Sequence, residues 1–126
     1  MKRSTLGLST SQGQSHRLAQ LSSLLQHELG LLLTRELELP AGALLTVSRV
    51  TVLPDLSAAR IGVTILPWER HLEVFQLLQR RTHDLQRLLN AKLHIYRVPK
   101  LEFQLDDSTE RADRLEQLLD KLDTKA

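Results

Sequence analysis

The 126-residue chain has room for one domain with one core, and its 41% hydrophobic and 25% charged content is that of an ordinary globular protein. It contains no cysteine, which excludes disulfides, thiolate metal sites and cysteine nucleophiles, and no run of about 18 apolar residues exists to span a membrane. The formal net charge of +2 conceals a polarity: residues 69–100 hold seven bases against three acids, and residues 101–126 hold four bases against eight acids.

Residues 1–14 are basic, Ser-rich and free of acids, and read as a flexible segment. The same composition fits an organellar transit segment, although the apolar stretch of a secretion signal is missing. A cytoplasmic location is the expectation, with organellar import as its alternative. From Ser15 to Leu39, the spacing of Leu18, Leu21, Leu25, Leu29 and Leu32 predicts an amphipathic helix. Pro40, Ala41 and Gly42 end it. In the strand predicted over Leu44 to Leu53, the apolar residues change parity between Val47 and Val50, which places a bulge near Ser48 and Arg49. After the turn Pro54–Ser57 a second strand carries Ala59, Ile61, Val63 and Ile65 on one face, and the two strands should pair antiparallel.

The helical period returns from Glu69 to about Leu93 with Leu72, Phe75, Leu78, Leu85, Leu88 and Leu89, interrupted by the polar Thr82. That interruption predicts two helices. Pro99 precedes a third strand with Leu101, Phe103 and Leu105 alternating with polar residues. Asp107 and Glu110 have the spacing of a capping box ahead of a final helix with Leu115, Leu118, Leu119 and Leu122. Packing of that stripe on its own domain is the favoured expectation, and docking on a partner is the alternative. The fold class is therefore α+β, in α-β-β-α-α-β order with a three-stranded mixed sheet, helices on one face and a C-terminal helix. This is the order of a type II K-homology (KH) domain. Residues 15–106 form the KH-like domain and residues 107–126 an acidic amphipathic helix.

Three blocks, in the right order, carry a family resemblance. They are Arg35, Glu36, Leu37 and Pro40; Thr46–Val50 with Pro54–Ile61; and Arg97–Phe103 with Asp106, Asp107, Ser108, Arg114 and Leu115. From about Arg17 to Leu122 the chain resembles the ribosome-binding factor A family. The resemblance implies a KH-like fold without the Gly-x-x-Gly loop, replaced in the family by an Ala-x-Gly kink between two helices. That kink position falls on Arg81, Thr82 and His83, where no glycine stands. A left-handed kink without glycine costs roughly 1 kcal/mol or more, so His83 is expected in helical backbone. Lys100, where the family often has Glu, and Ala112, where it often has Gly, are further departures.

The resemblance also implies an assembly factor in ribosome biogenesis. Its partners would be the free or immature small (30S) ribosomal subunit and the 16S rRNA precursor, whose late maturation and processing it assists, especially in the cold. The candidate RNA-binding residues are Arg80, Arg81, Arg87, Lys92, Arg97 and Lys100 around the kink position, joined by Arg17 and Arg35. Arg49 and Arg60 are expected to reach the same surface as Arg17 and Arg35. The competing reading is a solvated helix face in which Arg80, Asp84 and Arg87 form ion pairs. Phe75 and Phe103 lie on apolar stripes and belong to the core, Trp68 packs in a loop, and Tyr96 either stacks a base or packs at a strand entry.

His16, His27, His71, His83 and His94 lack metal-ligand spacing, and no nucleophile elbow or phosphate loop occurs. The expectation is a monomeric binding protein, not an enzyme, with no cofactor, metal, small-molecule substrate or membrane partner. The alternative is a non-catalytic protein–protein interaction module with a KH-like fold and degenerate RNA binding.

Overall fold

The computed structural model describes residues 2–95 and 97–125, so the two readings of Tyr96 lie outside the described residues. The elements are α1 (Lys2–Glu36), β1 (Leu44–Val52), β2 (Ala58–Leu66), a 3-10 turn (Trp68–Arg70), α2 (His71–Lys92), β3 (Lys100–Leu105) and α3 (Ser108–Lys125). Helix α1 begins upstream of the expected Ser15, since no proline interrupts residues 2–14. It ends before Pro40, whose carbonyl accepts the Ala43 amide at 3.0 Å. Gly42 occupies the third position of that turn at φ 83°, a conformation glycine adopts without steric cost.

The sheet has the order β1-β2-β3, with β1 antiparallel and β3 parallel to β2. The register shifts between Val47 and Arg49, leaving Ser48 as the extra residue, at the place the parity change predicts. Ala59, Ile61, Val63 and Ile65 of β2 are buried. Against them pack Leu25, Leu29 and Leu32 of α1 and Leu78, Leu85 and Leu89 of α2, all essentially without solvent contact. Phe75 and Phe103 are half-buried against this core. One face of the sheet thus carries the two long helices, and the other stays open.

Two expectations about the middle of the chain are corrected. The predicted pair of helices is one continuous α2, and Arg81, Thr82 and His83 lie inside it. Among the described residues positive φ occurs only at Leu56 and Gly42. The Thr82 hydroxyl donates to the Leu78 carbonyl at 3.0 Å, so the polar residue that interrupts the apolar stripe is satisfied within its own helix. The apolar phase also differs from the expected one. Leu72 is 65% exposed, and Val74, four residues before Leu78, takes the buried place. At the helix entry Trp68 stacks on His71 with ring centroids 3.9 Å apart, and His71 Nδ1 donates to the Trp68 carbonyl.

Gln86 joins α2 to the edge strand. Its Oε1 accepts the Leu101 amide at 2.7 Å, and its Nε2 donates to the Pro99 carbonyl at 3.1 Å. At α3 the expected capping box does not close. Asp107 pairs with Arg111 at 3.1 Å and Glu110 with Arg114 at 3.2 Å, while Asp106 accepts the Ser108 amide at 3.0 Å. The leucine stripe of α3 does not pack on the domain. Leu115, Leu118, Leu119 and Leu122 are 51–62% exposed, because α3 leaves the sheet edge without a helix or strand face to lie on.

Two substitution pairs test this arrangement. In urea unfolding, Leu85→Ala should cost about 2–5 kcal/mol, and Leu72→Ala, on the exposed face, no more than about 0.5 kcal/mol. At position 83 the continuous helix requires alanine to be more stable than glycine by about 1 kcal/mol. The order would reverse if a left-handed kink stood there.

Candidate nucleic-acid interface

Helices α1 and α2 run antiparallel, since Arg81 of α2 meets Glu36 of α1 and, further on, Lys92 meets Glu28. This geometry sorts the predicted basic residues into committed and free. Arg81 is half-buried; its Nη1 donates to the Glu36 carbonyl at 3.4 Å and its Nε lies 3.6 Å from Asp84. A guanidinium on the last carbonyls of α1 suits the negative end of that helix. Lys92 lies 2.6 Å from Glu28, and this hydrogen bond holds the Glu28 carboxyl below its ordinary value. Arg35 pairs with the neighbouring Glu36 at 3.3 Å.

Asp84 is shared. Arg87 reaches it at 3.4 Å and Arg81 at 3.6 Å, so the ion pairs form with Arg81 and Arg87 and not with Arg80. Arg80 is exposed and makes no ion pair or hydrogen bond among the described residues. Arg87 keeps 73% of its side chain in solvent. Seven residues apart on one helix, Arg80 and Arg87 lie about 10 Å apart along the axis of an uninterrupted rod.

The other predicted residues do not join this face. Arg17 stands 18 residues before Arg35 on α1, a separation of about 27 Å. Arg97 is exposed in the connection to β3, on the side of the β1–β2 turn, where its charge helps to keep the Asp55 carboxyl low behind the stronger effect of the Ser57 hydroxyl and amide. Lys100 opens β3, its amide donating to the Ser57 carbonyl at 3.2 Å.

Arg49 and Arg60 do not share a surface with Arg17 and Arg35. Ile61 enters the core against α1, so alternation turns Arg60 to the opposite, open face of the sheet. There Arg49, Thr51, Arg60, Gly62, Gln104 and Arg111 line a groove of about 420 Å³ between the sheet and the start of α3. Sequence reasoning missed Arg111. The signal was present in its position, one turn into a helix that directly follows an edge strand.

Asp106 anchors the floor of that junction. Hydrogen bonds from Ser108 and, at 2.8 Å, from the Ser48 hydroxyl lower its carboxyl from the ordinary 3.8 to about 2, with Arg49 adding a smaller charge effect. A depressed carboxyl stabilises the fold fully above pH 3.8, and the contribution disappears as pH falls through about 2. Asp106→Asn should therefore lower the urea midpoint at neutral pH and reduce the loss of stability seen in the parent chain between those two pH values. An unchanged acid limb would show that the two serines hold nothing.

The sequence and fold match known proteins over most of the chain. The family model described as ribosome-binding factor A matches residues 17–119. A ribosome-binding factor A of Pelodictyon phaeoclathratiforme is 43% identical over 108 residues, 83% of this chain and 90% of the relative. One of Nitrosococcus oceani is 40% identical over 106 residues, 83% of this chain and 84% of the relative. The crystal structure of ribosome-binding factor A from Thermus thermophilus superposes with a TM-score of 0.58 at 26% identity, covering 70% of this chain and 93% of that one. A homology model of the Thermus thermophilus factor, fitted into the cryo-EM map of its complex with the 30S subunit, gives a TM-score of 0.50 at 30% identity and covers 67% and 93% of the two chains.

Proposed function

Because the chain belongs to the ribosome-binding factor A family, we propose that it associates with the free or immature 30S subunit and assists late maturation of its 16S rRNA through the exposed basic face of α2. The observation that carries this reading is Arg80 and Arg87, presented on one straight helix and largely in solvent. Guanidinium forks suit phosphate oxygens, and contacts of this kind position a protein on RNA without reading its sequence. Arg81 serves the fold, since it fastens α2 to the end of α1. The factor acts by binding, as a cytoplasmic monomer, with no catalytic step of its own.

The exposed leucine stripe of α3 supports a second reading, a protein-interaction module that reaches the subunit through a ribosomal protein. Salt separates the two. Phosphate contacts make binding weaken steeply between about 50 and 200 mM salt, whereas docking of an apolar helix changes little.

Replacing Arg80 and Arg87 together with Glu should leave the circular dichroism melt unchanged and abolish co-sedimentation with free small subunits. Asp84→Asn should act in the opposite sense, because it releases Arg87 and removes a negative charge from the basic face, and tighten subunit binding at low salt. Unchanged co-sedimentation in the double variant would remove this face from the interface.

A further inference from the structure

The open face of the sheet carries charge that the α2 surface does not explain. Arg49 and Arg60 project from neighbouring strands, where their registered partners are Gly62 and Thr51. Both are exposed, and neither forms an ion pair or hydrogen bond among the described residues. The two acids of the same groove are already engaged. Asp106 accepts from Ser48 and Ser108, and Asp107 holds Arg111 at 3.1 Å. The recess of about 420 Å³ therefore sets three guanidinium groups against two carboxylates, a surplus of one positive charge, with Arg49 also acting on the Asp106 carboxylate.

Gly62 makes the recess. In register it lies between Arg49 of β1 and Gln104 of β3, so the middle of the open face is bare backbone flanked by polar side chains. A Cβ there would meet the Ser48 hydroxyl at 3.1 Å, which leaves little room for a larger residue while Ser48 holds Asp106. The first turn of α3 closes the far wall and adds the positive end of its helix dipole.

We propose that this groove binds the phosphodiester backbone of single-stranded RNA, as a contact separate from the α2 face and on the opposite side of the domain. The proposal rests on the reading that the chain binds rRNA. Arginine forks and the amide of Gln104 suit phosphate and ribose oxygens. No aromatic residue lines the groove, so base stacking is absent and the contact is indifferent to sequence. A flexible strand can follow the recess between sheet and helix, whereas a rigid duplex meets only its rim.

The test uses the full chain and a labelled uridine oligonucleotide of about 16 nucleotides, titrated by fluorescence anisotropy between about 50 and 200 mM salt. Parent, R49Q/R60Q and R80Q/R87Q chains are compared after their melts are shown to coincide. Each lost phosphate contact on a single strand removes about 0.7 from the slope of log K against log salt. R49Q/R60Q should therefore bind more weakly and lower the slope by about 1.4. If R80Q/R87Q weakens binding and R49Q/R60Q leaves affinity and slope unchanged, the groove is not an RNA site and the α2 reading stands. If R49Q/R60Q alone weakens binding, the groove stands as the single-strand site. If the parent itself fails to bind, the groove proposal falls, while co-sedimentation with free small subunits still decides the α2 face. Loss of subunit co-sedimentation in R49Q/R60Q with oligonucleotide affinity intact would assign the groove to a protein carboxylate and overturn the proposal.

Discussion

β2 lies between two partners, antiparallel to β1 and parallel to β3, and its alternation determines which way every neighbouring side chain on the sheet must face. Ala59, Ile61, Val63 and Ile65 face α1 and α2, and Arg60, Gly62 and Thr64 face away. Fully burying an isoleucine or valine contributes about 1.5–3 kcal/mol, and a one-residue slip would forfeit several such contributions while forcing Arg60 into an apolar core. Among the described residues no surface ion pair competes with terms of that size. Among the described residues the bulge at Ser48 is the one place where the pattern changes, and it changes on β1 only. The same bulge gives Ser48 its bond to Asp106, so the irregularity also ties β1 to the start of α3.

Charge on α2 is less available than its count suggests. Of the bases between residues 80 and 92, Arg81 is bound to the end of α1, Lys92 to Glu28, and Arg87 shares Asp84 with Arg81. The exposed pairs are worth little to stability, about 0–1 kcal/mol each, yet they lower the local potential that a polyanion would meet. Asp84 thereby acts as a brake on the basic face. Arg49 and Arg60 belong to the reverse side of the domain, where with Arg111 they outnumber Asp106 and Asp107 by one charge, so the modest net charge of the whole chain is spread over two opposite faces.

Strand identities, the antiparallel hairpin, the bulge and the helical nature of residues 81–83 were legible because alternation and the absence of glycine act locally. The phase of α2 is encoded as well, by Leu78, Leu85 and Leu89, since Val74 stands four residues before Leu78 while Leu72, six residues before it, is turned about 120° away. Thr82 reads as a break because its hydroxyl bond to the Leu78 carbonyl is invisible in the sequence. The basic residues were found as a block along the chain but not as a surface. Arg81 and Arg87 are close in sequence to Arg80 and differ from it only in where Asp84 and Glu36 lie. Arg111 escaped notice because its neighbours in space, Arg49 and Arg60, are far away along the chain. For the stripe of α3, amphipathic spacing reveals an apolar face and says nothing about whether the domain offers it a seat.

The parallel pairing of β3 has a kinetic side. The β1–β2 hairpin joins residues that are neighbours along the chain, whereas Ala58 pairs with Lys100 across the whole of α2. Closing that loop costs entropy before any ladder bond repays it, and non-local pairings of this kind slow folding. Gln86 supplies the remedy, since it is placed on α2 to receive the Leu101 amide and the Pro99 carbonyl as the chain returns. A hairpin with its helices is thus expected to form first, with the edge strand zipping on last. During synthesis the sheet cannot be completed until residues 100–105 have left the ribosome, so the nascent chain passes through an interval in which the free edge of β2 is open.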